Sequence, residues 1–160
     1  MKNRLKLIVD PNPILRTVSD DFLLADIDNI DTKQLVAEMK RSIVLEHGVG
    51  LAAPQIGVNK RLIVVETKTG IKAYFNPKIK TKSFKMIEFE EGCLSVPGIW
   101  GVVDRHRSVV VEVISETGHP EEISASGLIS VIFQHEIDHL DGILFIDKVK
   151  RYLKSSDSII

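Results

Sequence analysis

The sequence predicts an α+β fold in which antiparallel strands pack around a central helix. Three observations lead there. Two well-separated segments carry apolar residues at helical spacing. Between them lie short apolar stretches that alternate like strands and meet at turns containing glycine. The second helical segment, late in the chain and mostly apolar, holds the string HExxH, so the strands surround a helix predicted to bind metal.

The elements follow in order. "DTKQLVAEMKRSIVLEHG" puts Leu35, Val36, Met39 and Ile43 on one helical face. Asp31 or Thr32 can cap its start and Gly48 can end it. "RLIVVET", "KTG" and "IKAYFNP" read as strand, tight turn and strand. "KMIEFEE" alternates like a further strand and runs on into a turn containing Gly and Pro, within "FEEGCLSVPG". "SVVVEVISETGHPEEI" reads as a strand, a turn at "ETGHP" and a short return. "SGLISVIFQHEIDHLDG" is the second helix, ended near Gly142.

A chain of 160 residues with no internal repeat or linker-like stretch is expected to form one domain over 1–160. At 44% hydrophobic and 27% charged, it is ordinary globular material. Its net charge of −1, with no basic run, gives no footprint for nucleic acid. The apolar run from Leu7 is broken at Asp10, too early for a signal peptide, and no apolar run reaches membrane-spanning length. A cytoplasmic protein with neither a membrane nor a nucleic-acid partner is expected. The single cysteine, Cys93, fits a reducing compartment.

His135 and His139 are four residues apart, so on a helix both imidazoles share one face and can reach one ion. Glu136 lies one position round, where a general base can reach a metal-activated water without ligating the metal. Counting back along that face gives Ile132, Val131 and Leu128. The metal would therefore sit at the inner end of an apolar pocket.

Two histidines do not hold a catalytic ion securely. The metzincin extension HExxHxxGxxH fails, because Phe145 stands where a third histidine belongs. A thermolysin-like downstream glutamate fails too, since no glutamate follows Glu136. The usual zinc endopeptidase completions are therefore missing. Upstream candidates are His47, His106, His119, several carboxylates and Cys93. A Cys93 thiolate with two imidazoles makes a three-ligand site with its fourth position open.

At this point the chain resembles a known family, the peptide deformylases. "GVGLAAPQ" (48–55), "EGCLS" (91–95) and "QHEIDHL" (134–140) resemble its three motifs in order and spacing. "IVDPNPILR" is similar to its usual opening. The resemblance runs from about residue 6 to 148. It implies Cys93, His135 and His139 as metal ligands, with Fe(II) the native ion in many members and Zn(II), Ni(II) or Co(II) as replacements. It implies Glu136 as general acid and base, and Gln55 with the backbone N–H of Leu94 as the oxyanion donors.

The implied reaction removes the formyl group from the N-terminal formyl-methionine of new polypeptides, giving formate and a free amine. Elementary chemistry agrees, because a formamide needs an activated water and an electrophilic carbon. Gly48 and Gly50 would let backbone come close to an extended peptide, with the peptide added as a strand. Val49, Phe89, Leu128, Val131 and Ile132 would line a methionine pocket by resemblance.

Glu91 and Arg105 are expected to support the ligands, and Asp138 to orient a neighbour. The chain departs from many members at Trp100, where they carry Tyr or Arg. Its 15 residues beyond Phe145 fall short of the long ribosome-docking helix of some bacterial members. Partners expected are formylmethionyl nascent peptides, with at most transient proximity to the ribosome.

Overall fold

The structure, a computed structural model, describes residues 5–154. Helix α1 spans Ile30–Leu45 and α2 spans Leu128–Leu140. Strands are β1 (Gly50–Ala52), β2 (Leu62–Thr67), β3 (Gly70–Lys82), β4 (Met86–Cys93), β5 (Val96–His106), β6 (Ser108–Ser115), β7 (Pro120–Ser126) and β8 (Val149–Tyr152). Two antiparallel sheets result, ordered β1-β2-β3-β6-β7 and β4-β5-β8. Helix α2 packs against strands of both.

The apolar run "LIVV" in β2 shows why the larger sheet is covered on both faces. Side chains alternate across a strand. Ile63 and Val65 join Ile132, Phe133, Ile137 and Leu140 of α2 in one cluster. Leu62 and Val64 join Val36, Met39 and Ile43 of α1 in another. Each such side chain contributes roughly 1.5–3 kcal/mol on full burial. A third cluster of Leu15, Val96, Val103, Leu144 and Phe145 closes the smaller sheet.

Several boundaries differ from the sequence expectation. The cap of α1 is Asn29, not Asp31 or Thr32: its side chain accepts the Thr32 N–H at 2.8 Å. Gly48 does not take the left-handed position at the far end of α1. His47 does, at φ 54°, and Gly48 follows it, donating its N–H to the Ile43 carbonyl at 2.8 Å. The turn after Cys93 is only Leu94–Ser95, because Cys93 pairs with Val96. Pro97 and Gly98 already belong to β5, an eleven-residue strand that no alternation in the sequence announces. The register shifts between Gly92, which pairs with Trp100, and Cys93, which pairs with Val96, so residues 97–99 of β5 are left without partners on β4, an irregularity common beside functional sites.

Helix α2 has no side-chain cap and starts from Gly127 at φ 63°, ψ −134°, a region open essentially to glycine alone. Gly142 at φ 73° ends it, pressed against the Arg16 carbonyl. Its Leu140 carbonyl accepts the Ser19 N–H at 2.8 Å and Arg61 Nη1 at 3.3 Å. Among the described residues no helix is long and apolar enough to cross a membrane.

Candidate metal centre

Strand β4 and helix α2 supply the donors. Cys93 is the last residue of β4, and His135 and His139 lie one turn apart on α2. Their ligating atoms all lie within 4.8 Å of one another. Cys93 Sγ and His139 Nε2 are 3.3 Å apart. Ligands 2.0–2.3 Å from a tetrahedral ion stand roughly 3.5 Å apart, so these residues fit a divalent metal. His47, His106 and His119 are not in the group, and His106 Nδ1 instead bonds to the Ser83 carbonyl at 2.7 Å.

Charged neighbours orient the first imidazole. Glu91 Oε2 accepts from His135 Nδ1 at 2.8 Å, which leaves Nε2 to face the thiol and the other ring. Arg105 grips Glu91 through two bonds, Nε to Oε1 at 2.7 Å and Nη2 to Oε2 at 2.9 Å. It also donates to Asp138 Oδ2 at 2.6 Å, and Lys148 bonds the same carboxylate at 2.7 Å. Burial raises the Glu91 pKa, but the bonds from Arg105 and His135 outweigh it and hold the group down to about 2. His139 is pushed well below its ordinary value by burial, so its ring stays neutral and offers a lone pair.

Glu136 lies beside the donor group without joining it. Its side chain is buried, and Oε2 has no hydrogen-bond partner among the described residues. Burial pushes its pKa up to about 7; His135 opposes the rise and the Glu91 carboxylate adds to it. A carboxyl poised there can both take and return a proton at neutral pH.

Gln55 is buried beside the thiol. Its Oε1 accepts the Ala52 N–H at 2.8 Å, and its Nε2 lies 3.6 Å from Cys93 Sγ. The carbonyl end is committed to a backbone donor, so the NH₂ end is the one that faces the site.

A cleft of about 600 Å³ opens onto this group, a size ordinary for a ligand site. Gly48, Val49, Gly50, Gln55, Phe89, Glu91, Cys93, Leu94, Leu128, Val131, Ile132, His135 and Glu136 all line it. Arg105 stands behind Glu91, outside the cleft. Val131 and Ile132 are buried, while Leu128 is 49% exposed and forms the rim rather than the depth. The sequence reading missed Ser95, whose buried hydroxyl lies 3.2 Å from Gln55 Nε2. Its signal was position alone, two residues after the cysteine.

The family model for polypeptide deformylase matches residues 4–155, nearly the whole chain. The chain belongs to the polypeptide deformylase family. Members remove the N-formyl group from nascent polypeptides. The chain is 43% identical to a peptide deformylase of Picosynechococcus over 141 residues, covering 85% of this chain and 75% of that one. It is 40% identical to the Acetivibrio thermocellus deformylase, covering 92% and 85%.

Solved structures agree in fold. The Synechococcus elongatus deformylase in complex with actinonin superposes with a TM-score of 0.88 at 35% identity, covering 94% of this chain and 82% of that one. The Met-Ala-Ser-bound deformylase of Acinetobacter baumannii gives 0.88 at 31% identity, covering 93% and 100%. The deformylase fold thus accounts for both sheets and both helices.

Proposed function

We propose that this deformylase binds one divalent metal ion through Cys93, His135 and His139, natively Fe(II), and hydrolyses the formyl group of formyl-methionyl peptides. The observation that carries the reading is the convergence of a thiol and two imidazoles within 4.8 Å, flanked by a buried carboxyl whose Oε2 has no hydrogen-bond partner among the described residues. A bound divalent ion supplies Lewis acidity, lowering the pKa of a water toward roughly 7 and polarising a carbonyl.

The chain's own residues do the rest. Glu136 accepts the proton of the attacking water on its free Oε2 and returns it to the departing amine. The Gln55 Nε2–H and the backbone N–H of Leu94 donate to the formyl oxygen as it gains charge. A single donor of this kind is worth about 3 kcal/mol. Glu91 and Arg105 hold the His135 tautomer, and Asp138 steadies Arg105.

Substrate enters as an added strand. β1 is an edge strand of its sheet, and the segment Gly48–Gly50 offers backbone groups to an extended peptide. The methionine side chain enters the slot made by Val131, Ile132, Phe89 and Val49, with Leu128 at its rim. The substrate class is N-formylmethionyl nascent peptides, met in the cytoplasm with transient proximity to the ribosome. Residues 1–160 act as one catalytic unit.

The test is metal analysis of anaerobically purified protein paired with formate release from formyl-Met-Ala-Ser. One equivalent of iron with formate release supports the reading. Metal-loaded protein that releases no formate overturns it.

A further inference from the structure

We propose that Ser95 is a positioning residue for Gln55: its hydroxyl holds the amide in the rotation that turns its second N–H into the cleft, on the side of Cys93 Sγ. The inference rests on the catalytic reading of Gln55 given above.

The geometry of a primary amide carries the argument. The group is planar, with one carbonyl oxygen and two N–H donors. In Gln55, Oε1 is tied to the Ala52 N–H at 2.8 Å. One Nε2 proton is directed to Ser95 Oγ at 3.2 Å. With two points of a plane fixed, the direction of the remaining N–H is set. It is the one on the side of Cys93 Sγ, 3.6 Å from Nε2. Without the hydroxyl the first proton loses its acceptor, and only the Ala52 bond and the long 3.6 Å contact to Cys93 Sγ are left to hold the amide.

The two backbones are locked to each other by a third segment. The Ile8 N–H donates to the Gln55 carbonyl at 2.7 Å, and the Asp10 N–H donates to the Ser95 carbonyl at 2.8 Å. The donors are two residues apart on one chain. A single strap therefore fixes the segment bearing the amide against the segment bearing the hydroxyl. Ser95 is fully buried, so its hydroxyl meets no competing bulk water. A buried serine in a tight turn could serve packing alone, and the test must separate these roles.

A double-mutant cycle on the metal-loaded enzyme does so, using formyl-Met-Ala-Ser. Gln55→Ala is expected to lower kcat at least ~100-fold, the scale for losing one oxyanion donor. Ser95→Ala is expected to lower kcat roughly 10-fold, with KM and bound metal unchanged, because the donor survives but loses its aim. In the Gln55→Ala background, Ser95→Ala should then change kcat by less than about 2-fold. Multiplication of the two losses would mean that Ser95 acts independently of Gln55, and would overturn the proposal. If Ser95→Ala does not fold, Ser95→Cys keeps the volume with a weaker acceptor and enters the same cycle.

An independent readout needs no turnover. The chain has three glutamines, Gln34, Gln55 and Gln134, so selective ¹⁵N-glutamine labelling of the zinc-loaded protein gives three side-chain amide pairs. The Gln55 pair should exchange with solvent at least ~10-fold faster in Ser95→Ala, as expected when a buried hydrogen bond is lost. Unchanged exchange would overturn the positioning role. Wild-type turnover in Gln55→Ala would instead defeat the catalytic reading of Gln55, a failure distinguishable from the multiplicative cycle.

Discussion

Gly50 and Glu136 lie so close that a Cβ built on the glycine would stand 2.4 Å from Glu136 Oε1 and 2.8 Å from its Cδ. The glycine is therefore part of the geometry of the carboxyl. Gly50→Ala would force Glu136 to move, and a side-chain end can move without unfolding the protein. Proton transfer is less forgiving, since a misplacement near 1 Å can cost on the order of 100-fold. Gly50→Ala is expected to keep its metal and its melting temperature within a few degrees, while turnover falls roughly 10- to 100-fold. Full activity in this variant would show that Glu136 has room the structure denies it.

Glu136→Gln separates proton transfer from metal binding. The carboxyl stands outside the donor group of Cys93, His135 and His139, so the variant should bind metal at the wild-type stoichiometry. Turnover should drop at least ~100-fold, the usual scale for losing a positioned acid and base. Parallel loss of metal and activity would make Glu136 a ligand instead.

Cys93→Ala should behave in the opposite way. Two imidazoles remain, but a bidentate site without thiolate holds a divalent ion poorly. Bound metal should fall below roughly a tenth of an equivalent after dialysis, and activity should vanish with it. The fold should persist, because Cys93 packs only at the margin of the third apolar cluster. Circular dichroism and metal analysis on one sample decide the matter.

Arg105 carries the electrostatics beneath the site. It is fully buried and bonded to both oxygens of Glu91 and to Asp138. Arg105→Met would leave the Glu91 carboxylate buried with His135 as its remaining partner. Breaking one side of such a buried pair typically costs about 3–5 kcal/mol. Urea unfolding of metal-free protein should show that loss, and metal affinity should fall roughly 10- to 100-fold as the His135 orientation loosens. A stability change under about 1 kcal/mol would mean that water replaces the guanidinium without strain.

Legibility in the sequence followed the physical range of each signal. Helix α2 was plain because the histidine spacing and the apolar spacing coincide within one element. Strands β2, β3, β4, β6 and β7 showed through alternation or continuous apolar runs. β5 did not, because "VPGIWGVVDRH" contains Pro97, Gly98 and Gly101 and its pairing to β4 and β8 is long-range. Three residues of β1 are too few to show any period. The cap of α1 was misplaced because Asn29, Asp31 and Thr32 are all good caps, and only the backbone decides among them. Singling out Cys93 from the other upstream candidates needed motif resemblance, since nothing in sequence spacing measures the distance from Cys93 to His139. Ser95 stayed hidden because a hydroxyl matters here only through a neighbour forty residues away.

Ile132 packs into the cluster shared by α2 and the five-stranded sheet, so it is both core and wall. Val131 is 3% exposed, lines the cleft and stands outside all three apolar clusters, so it is the cleaner probe of the slot. An apolar slot beside the reacting carbon should select an unbranched, flexible side chain. Each buried methylene is worth about 0.8 kcal/mol, so the three-atom stem missing from alanine should cost roughly 2 kcal/mol in transition-state binding. Formyl-Met and formyl-norleucine peptides should therefore react alike, and formyl-Ala peptides at least ~30-fold more slowly in kcat/KM. Val131→Phe fills the slot with a ring: the methionine substrate should lose most of its advantage, the ratio falling below about 5, while the alanine substrate changes less than about 3-fold. The measurement is a matched series of formyl-Xaa-Ala-Ser peptides on both proteins. A ratio unmoved by Val131→Phe would place the methionine side chain elsewhere in the cleft, on the Trp100 and Ile99 side, and leave this face of α2 as core alone.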